Sequence, residues 1–305
     1  ATHAGPLKAW KLAFVRNGDI WIANGDGTGQ RVLIKNGDVP CWSPDKKQIA
    51  FERDSNIWVA NVDGSHQRPL TNQWRRLKRD SDGFDVENIG ITWDKKLAIF
   101  YSHGGKRSLG PWSPATTSLM TIPLRPLSEC LYMNGDDSTF SFSDRAFPAV
   151  SRSGNFCAFV CNGDLWVAAR DKGGEVPGWN ISRLDAVAKY DHGTNRGDAW
   201  EVGATHISWA PNERSLAYSF DRLTGGGQWQ IYILQIRQGR GDTPTSRSDR
   251  MICDDGTYPS FSPDGKWIAY WGPWTCGANP MSIWVMTSAG ENARLLIKNG
   301  SSPAW

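Results

Sequence analysis

Cysteine is scarce in this chain and so is histidine. The six cysteines, at 41, 130, 157, 161, 253 and 276, are too few and too scattered to staple 305 residues into a disulfide framework. With only five histidines beside them, they form no zinc-ligand spacing. Long apolar runs are also missing: none approaches the roughly 20 residues of a membrane-spanning helix. The start, ATHAGPLKAW, lacks the charged-then-apolar layout of a signal peptide, so the chain reads as soluble, or as a mature form whose leader has been removed. Charge of one sign is lacking as well. The 34 basic and 31 acidic residues leave a formal charge of +3, which excludes a broad electrostatic case for nucleic acid or an anionic membrane. No Gly-x-Ser-x-Gly elbow, HExxH or P-loop occurs, and Gly225-Gly226-Gly227 reads as a hairpin turn. Glycine and proline are spread as turn punctuation, without a linker or low-complexity tail, so a single domain spanning 1–305 is expected.

What the chain does have is a repeat. The segments KLAFVRNGDIWIAN, QIAFERDSNIWVAN and FCAFVCNGDLWVAA align without gaps over two strands and the turn between them. SLAYSFDRL with WQIYIL, and WIAYWG with SIWVM, repeat the unit with longer turns; KLAIFYS with SLMTI is a degenerate sixth copy. One column is alanine throughout: Ala13, Ala50, Ala98, Ala158, Ala217 and Ala269. The next is large: Phe14, Phe51, Ile99, Phe159, Tyr218 and Tyr270. These β-branched and aromatic runs, bounded by Gly, Asn and Asp, have strand composition. Being apolar on both faces, they suit sheets packed on both sides. Before each pair stands a strand ending in an aromatic and a turn, such as Ser260-Phe261-Ser262-Pro263-Asp264-Gly265, in which Pro fixes φ and Gly accepts positive φ. A fourth strand follows, as in RVLIKNG or RLLIKNG. Four strands, six times over, predict an all-β fold: a six-bladed β-propeller with four antiparallel strands per blade.

The ends complete the scheme. The first unit begins at its second strand, while the terminal LLIKNGSSPAW matches VLIKNGDVPCW at 32–42. Residues 302–305 are therefore read as the missing first strand, the C-terminal strand completing the N-terminal blade and removing an open edge.

The Ser-Pro-Asp-Gly turn followed by Ile-Ala-Tyr and Ile-Trp-Val resembles the repeat of TolB-like propellers over nearly the whole chain. The full motif stands only at 262–265, and the third unit keeps just Asp94-Lys95-Lys96. That resemblance implies a periplasmic or extracellular location. The family includes protein-interaction propellers, propellers attached to peptidases and some polysaccharide lyases, so fold alone does not fix function.

Long insertions at 72–88, 102–117, 134–146, 185–204, 221–228 and 271–281 all map to one face, where binding residues commonly sit on a rigid scaffold. Trp74, Trp112, Trp200, Trp271 and Trp274 lie in them, with Trp229 at the edge of one; they either anchor the loops or form a binding surface. Arg75 and Arg76 adjoin Trp74. His103, His192 and His206 map to the same face, His206 at the head of a first strand and Tyr258 in the matching place of the next repeat. If the three histidines converged, they would supply a metal or acid–base site. Asp80, Asp82, Asp85 and Glu87, around Gly83, offer alternating oxygens of the kind calcium takes; a plain acidic loop paired with the preceding arginines is the competing reading. No other cofactor is expected. Cys253 and Cys276 fall near that face and would be able to bridge in an oxidising compartment. Two Arg-Gly-Asp triplets, at 196–198 and 240–242, are ordinary turn chemistry.

The leading expectation is a non-catalytic interaction propeller that recognises a protein or glycan through its insertion-rich face, with no nucleic acid and no membrane insertion. Two alternatives stay open: a polysaccharide lyase or hydrolase with a histidine-based site at the channel mouth, and a structural subunit of a larger assembly.

Overall fold

The computed structural model describes residues 7–54, 56–71, 85–93, 99–106, 116–122, 131–132, 147–161, 164–170, 179–183, 204–222, 228–238, 244–272 and 282–305. Packing divides the chain into two compact units, Ala1–Pro148 with Gly300–Trp305, and Ala149–Asn299.

The first unit holds β1 (Lys11–Arg16), β2 (Asp19–Asn24) and β3 (Arg31–Ile34); then β4 (Asp38–Trp42), β5 (Gln48–Arg53), β6 (Asn56–Asn61) and β7 (Arg68–Pro69); then β8 (Asp85–Trp93), β9 (Ile99–Lys106), β10 (Thr116–Ile122) and β11 (Leu131–Tyr132). The second holds β12 (Ala149–Val150), β13 (Phe156–Cys161), β14 (Asp164–Arg170) and β15 (Trp179–Arg183); β16 (Ala204–Trp209), β17 (Ser215–Arg222), β18 (Gln228–Gln238) and β19 (Pro244–Cys253); and β20 (Thr257–Phe261), β21 (Trp267–Gly272), β22 (Ser282–Thr287) and β23 (Arg294–Ile297). The last strand, β24 (Ser301–Ala304), pairs antiparallel with β1, so the C-terminal segment completes the N-terminal sheet as expected.

Strand pairing gives six four-stranded sheets. Counted as propeller blades, however, the structure has five, one fewer than the repeat predicts. The sheet β8–β11 is built on the degenerate third repeat, and the side chains of β9–β11 lie outside the described residues.

The repeat columns explain the packing. Ala13, Ala50, Ala158, Ala217 and Ala269 are wholly buried. Each faces a small residue on the first strand of its sheet: Ala304, Cys41, Ala149, Ser208 and Ser260 respectively. On its other side each faces a branched residue, such as Ile22 or Val59. Small opposite small keeps the inner strands thin, which lets neighbouring sheets close on one another. The large column instead makes cross-strand aromatic pairs, Phe14 with Trp21, Phe51 with Trp58 and Tyr218 with Tyr232. These rings stack at 5.6–6.4 Å.

Three tryptophans ending first strands stitch sheet to sheet. Trp42 Nε1 donates to Ala304 O (3.2 Å), Trp93 Nε1 to Cys41 O (3.0 Å) and Trp209 Nε1 to Ala149 O (2.8 Å). Burial between sheets pushes the Cys41 thiol up to about 12. In the turn that follows, buried Ser43 Oγ donates to Asp45 Oδ1 (2.6 Å) and accepts from Gln48 N (2.9 Å); Ser262, Asp264 and Trp267 repeat this. The fourth turn position is left-handed in all four described turns: Gly154 and Gly265 at φ 73° and 71°, Lys46 and Glu213 at 60° and 56°. The two residues that are not glycine reach the preceding sheet. Lys46 Nζ donates to Trp305 O (2.9 Å), and Glu213 accepts from Ser153 N and from Ser153 Oγ (2.8 Å).

A second device sits at the head of the first strands. Asp38 pairs with Glu52 and Cys41 with Ala50, so Val39 and Pro40 together face the single residue Phe51. The same two-against-one bulge sets His206-Ile207 against Tyr218, Tyr258-Pro259 against Tyr270 and Ser302-Pro303 against Phe14. The first residue of each bulge is left-handed: Val39, His206, Tyr258 and Ser302 lie at φ 46–53°. Proline suits the second place because the bulge leaves that position without a ladder bond.

Candidate functional site

Two neighbouring bulges in the second unit bring expected binding residues together. At the heads of β16 and β20 the rings of His206 and Tyr258 overlap, with centroids 3.4 Å apart and planes tilted by 33°. Trp229, the second residue of β18, meets His206 edge-on at 6.3 Å; Trp271, on β21, meets Tyr258 edge-on at 5.6 Å. All four rings are half-buried. A non-glycine residue in the left-handed region costs on the order of 1–3 kcal/mol, and a bulky tyrosine there is unusual. Two such residues side by side aim both rings at one place.

Behind the rings runs a hydroxyl network. Buried Thr257 Oγ1 donates to buried Ser219 Oγ (3.0 Å), which also accepts from Tyr258 N (3.1 Å). His206 Nδ1 lies 3.0 Å from Thr205 Oγ1 and 3.4 Å from Thr257 Oγ1. The imidazole is thus tied to both strand heads, and Ser219 fixes the Tyr258 backbone in its strained conformation. Such an arrangement offers aromatic faces and edges with polar atoms between them, a chemistry of adhesion more than of proton transfer. Cys253, which closes β19 nearby, carries a free thiol whose pKa burial raises, making it a poor nucleophile.

Of the residues expected from sequence, His206, Tyr258 and Trp271 form this cluster. Trp74, Arg75, Arg76, Trp112, His192, Trp200, Trp274, Asp80 and Asp82 lie outside the described residues, as does Cys276. His103 falls on β9, opposite Ser118, with its side chain outside the described set. Asp85 and Glu87 fall on β8, paired with Lys106 and Gly104, so that half of the expected calcium loop is extended strand instead of turn. Among the described residues no group of three or more His, Cys, Asp or Glu is arranged to hold a metal ion. β18 and β19 form a long β-ribbon, pairing out to Gln238 and Pro244. Sequence reading missed Thr205, Thr257 and Ser219. The first two were readable as the residues just before the bulge, but nothing local marks Ser219, which matters only because a neighbouring sheet lies against it.

No family model matches the chain, and no curated protein matches it in sequence. Solved structures do. TolB from Acinetobacter baumannii aligns with a TM-score of 0.63 at 14% identity, covering 98% of this chain and 67% of that one. A chain designated TolB from Agrobacterium tumefaciens aligns at 0.57 and 14% identity, covering 96% and 90%. A luciferin-regenerating enzyme aligns at 0.54 and 12% identity, covering 86% and 80%. Likeness at such identities is one of fold. Among the described residues no helix is long and apolar enough to cross a membrane. The chain is an all-β propeller of four-stranded antiparallel sheets, and its structural neighbours include TolB-like proteins.

Proposed function

We propose that this chain is a non-catalytic binding propeller, folded as one domain, that holds a glycan or protein partner on the aromatic cluster of His206, Tyr258, Trp229 and Trp271. The carrying observation is the His206–Tyr258 stack at 3.4 Å on two adjacent left-handed bulges. Strain retained by two large residues at one spot, where glycine would relieve it, is a recurrent mark of functional surfaces. The proposed compartment is periplasmic or extracellular, on the resemblance to the TolB-like repeat.

The test is a binding screen of the purified chain against immobilised oligosaccharides and against candidate envelope proteins, followed by Tyr258→Ala and Trp271→Ala. The expected result is loss of the bound probe with the fold retained, the unfolding midpoint of Tyr258→Ala falling modestly because alanine keeps the left-handed strain and loses the ring stack. A probe bound equally by both variants would sink the assignment of the surface. Turnover of a bound oligosaccharide, lost in His206→Ala, would replace the binding reading with an enzymatic one.

A further inference from the structure

β24 is held less by its ladder than by a slot of side chains. Only Ala304 and Ser301 pair in register, with Ala13 and Val15, on either side of the bulge. Around them, Pro303 is buried and the Trp305 indole is 7% exposed. Trp10 meets that indole edge-on at 6.3 Å. Gly25 lies so close beneath it that a Cβ there would fall 2.5 Å from the ring. Trp42 Nε1 bonds Ala304 O (3.2 Å), and Lys46 Nζ, 5.9 Å above the Trp42 ring, bonds Trp305 O (2.9 Å). Every one of these contacts comes from residues 10–46. The slot reads a strand of small-Pro-small-Trp character and is indifferent to what lies upstream of it.

We infer that this edge of β1 is a strand-acceptor slot able to take residues 301–305 of a second copy of the chain, giving a strand-exchanged dimer. The second copy is the occupant because Ser301-Ser302-Pro303-Ala304-Trp305 is the sequence that fits, and each molecule carries one slot and one strand. Exchange re-forms each bond in trans, so it needs no new interface and opposes only the loss of free rotation and translation. What keeps the strand at home is the turn ahead of it, where Asn299 is left-handed at φ 53° and is followed by Gly300.

Two single-site variants of the full chain test this. Val15→Cys and Ser301→Cys replace register partners, and in a mixture of the two neither molecule can form that disulfide internally. Incubated together over a rising concentration series and oxidised, they yield a disulfide crosslink between the two substituted positions, identified by peptide mass, whose fraction rises with concentration. Adding Asn299→Pro to both raises that fraction roughly tenfold, because proline cannot hold the positive φ that the closed turn requires. Adding Trp305→Ala to the Ser301→Cys chain removes the crosslink, since the slot of the Val15→Cys chain then has no indole to take up. Absence of the mixed crosslink at every concentration, with or without Asn299→Pro, overturns the inference, as does a crosslink that survives Trp305→Ala.

Discussion

At Glu213 two effects of known sign act on one residue. The side chain accepts hydrogen bonds from the backbone and hydroxyl of Ser153 in the neighbouring sheet, while its own backbone sits at φ 56°. Truncation to alanine removes the clasp and keeps the strain. Bonds to a charged acceptor are each worth about 1.5–3 kcal/mol when well buried, and half-burial here brings the loss to roughly 2 kcal/mol. Truncation to glycine also removes the clasp but relieves the left-handed strain, about 1–2 kcal/mol, against roughly 0.5–1 kcal/mol of extra chain entropy. Glu213→Gly is therefore expected to lie about 0.5–1 kcal/mol above Glu213→Ala in stability, and both below wild type. That order reverses the one seen at ordinary strand or helix positions, where alanine outranks glycine. Urea unfolding followed by tryptophan fluorescence reads it as a shift of midpoint at constant slope. Gly265→Ala, at φ 71° with Pro211 3.2 Å from the added Cβ, should lose stability in the same assay. If alanine at 213 matches or exceeds glycine, the strain argument fails, and with it the reading of the turn as a trade of strain for contact.

Trp209→Phe keeps the ring and removes the bond to Ala149 O, for an expected loss of about 1 kcal/mol; Trp42→Phe and Trp93→Phe should follow, and unchanged midpoints in all three would dismiss the stitches. Gly25→Ala would place a Cβ 2.3 Å from Leu7 O and 2.5 Å from the Trp305 ring, so a loss of roughly 3 kcal/mol is expected by thermal unfolding, and a neutral result would show that the contact yields. The Ser43 hydroxyl, then the Lys47 N–H, hold the Asp45 carboxyl below its usual range. A carboxylate depressed in the folded state contributes stability present above its unfolded pKa of about 3.9 and lost as pH falls through the folded value. The gap between wild type and Asp45→Asn should thus be constant near neutrality and shrink in acid; a gap that persists below that window contradicts the assignment. Tyr258→Gly relieves a left-handed tyrosine while deleting half of the ring stack, so stability should hold while binding of any probe captured by the wild type is lost.

The strands were legible because their signal is local. An unbroken alanine column beside a large column, with a turn motif between repeats, leaves little choice of register, since a one-residue slip would turn Phe14 or Phe51 out of the core. The completion of the first sheet was legible for the same reason, as residues 302–305 copy 39–42. The third repeat was harder to read, since its Asp94-Lys95-Lys96 keeps little of the turn motif, and the blade count of five departs from the sixfold expectation. At the candidate site, the pattern located His206, Tyr258 and Trp271 on a common face but not their contact.

Sequence alone determined where the repeated strands lie, which column is small, and which strand the C-terminal segment replaces, because hydrophobic period and turn chemistry act between near neighbours. Tertiary structure decided the rest. That four first strands carry a left-handed bulge follows from how Val39, His206, Tyr258 and Ser302 must clear the large residue opposite, which no local preference signals. That His206 lies against Tyr258, 52 positions along the chain, and that Lys46 grips Trp305 are matters of which sheets become neighbours. Contacts of that range are set by packing surfaces and not by propensity, so they were written in the sequence only as positions, and became a site when the sheets met.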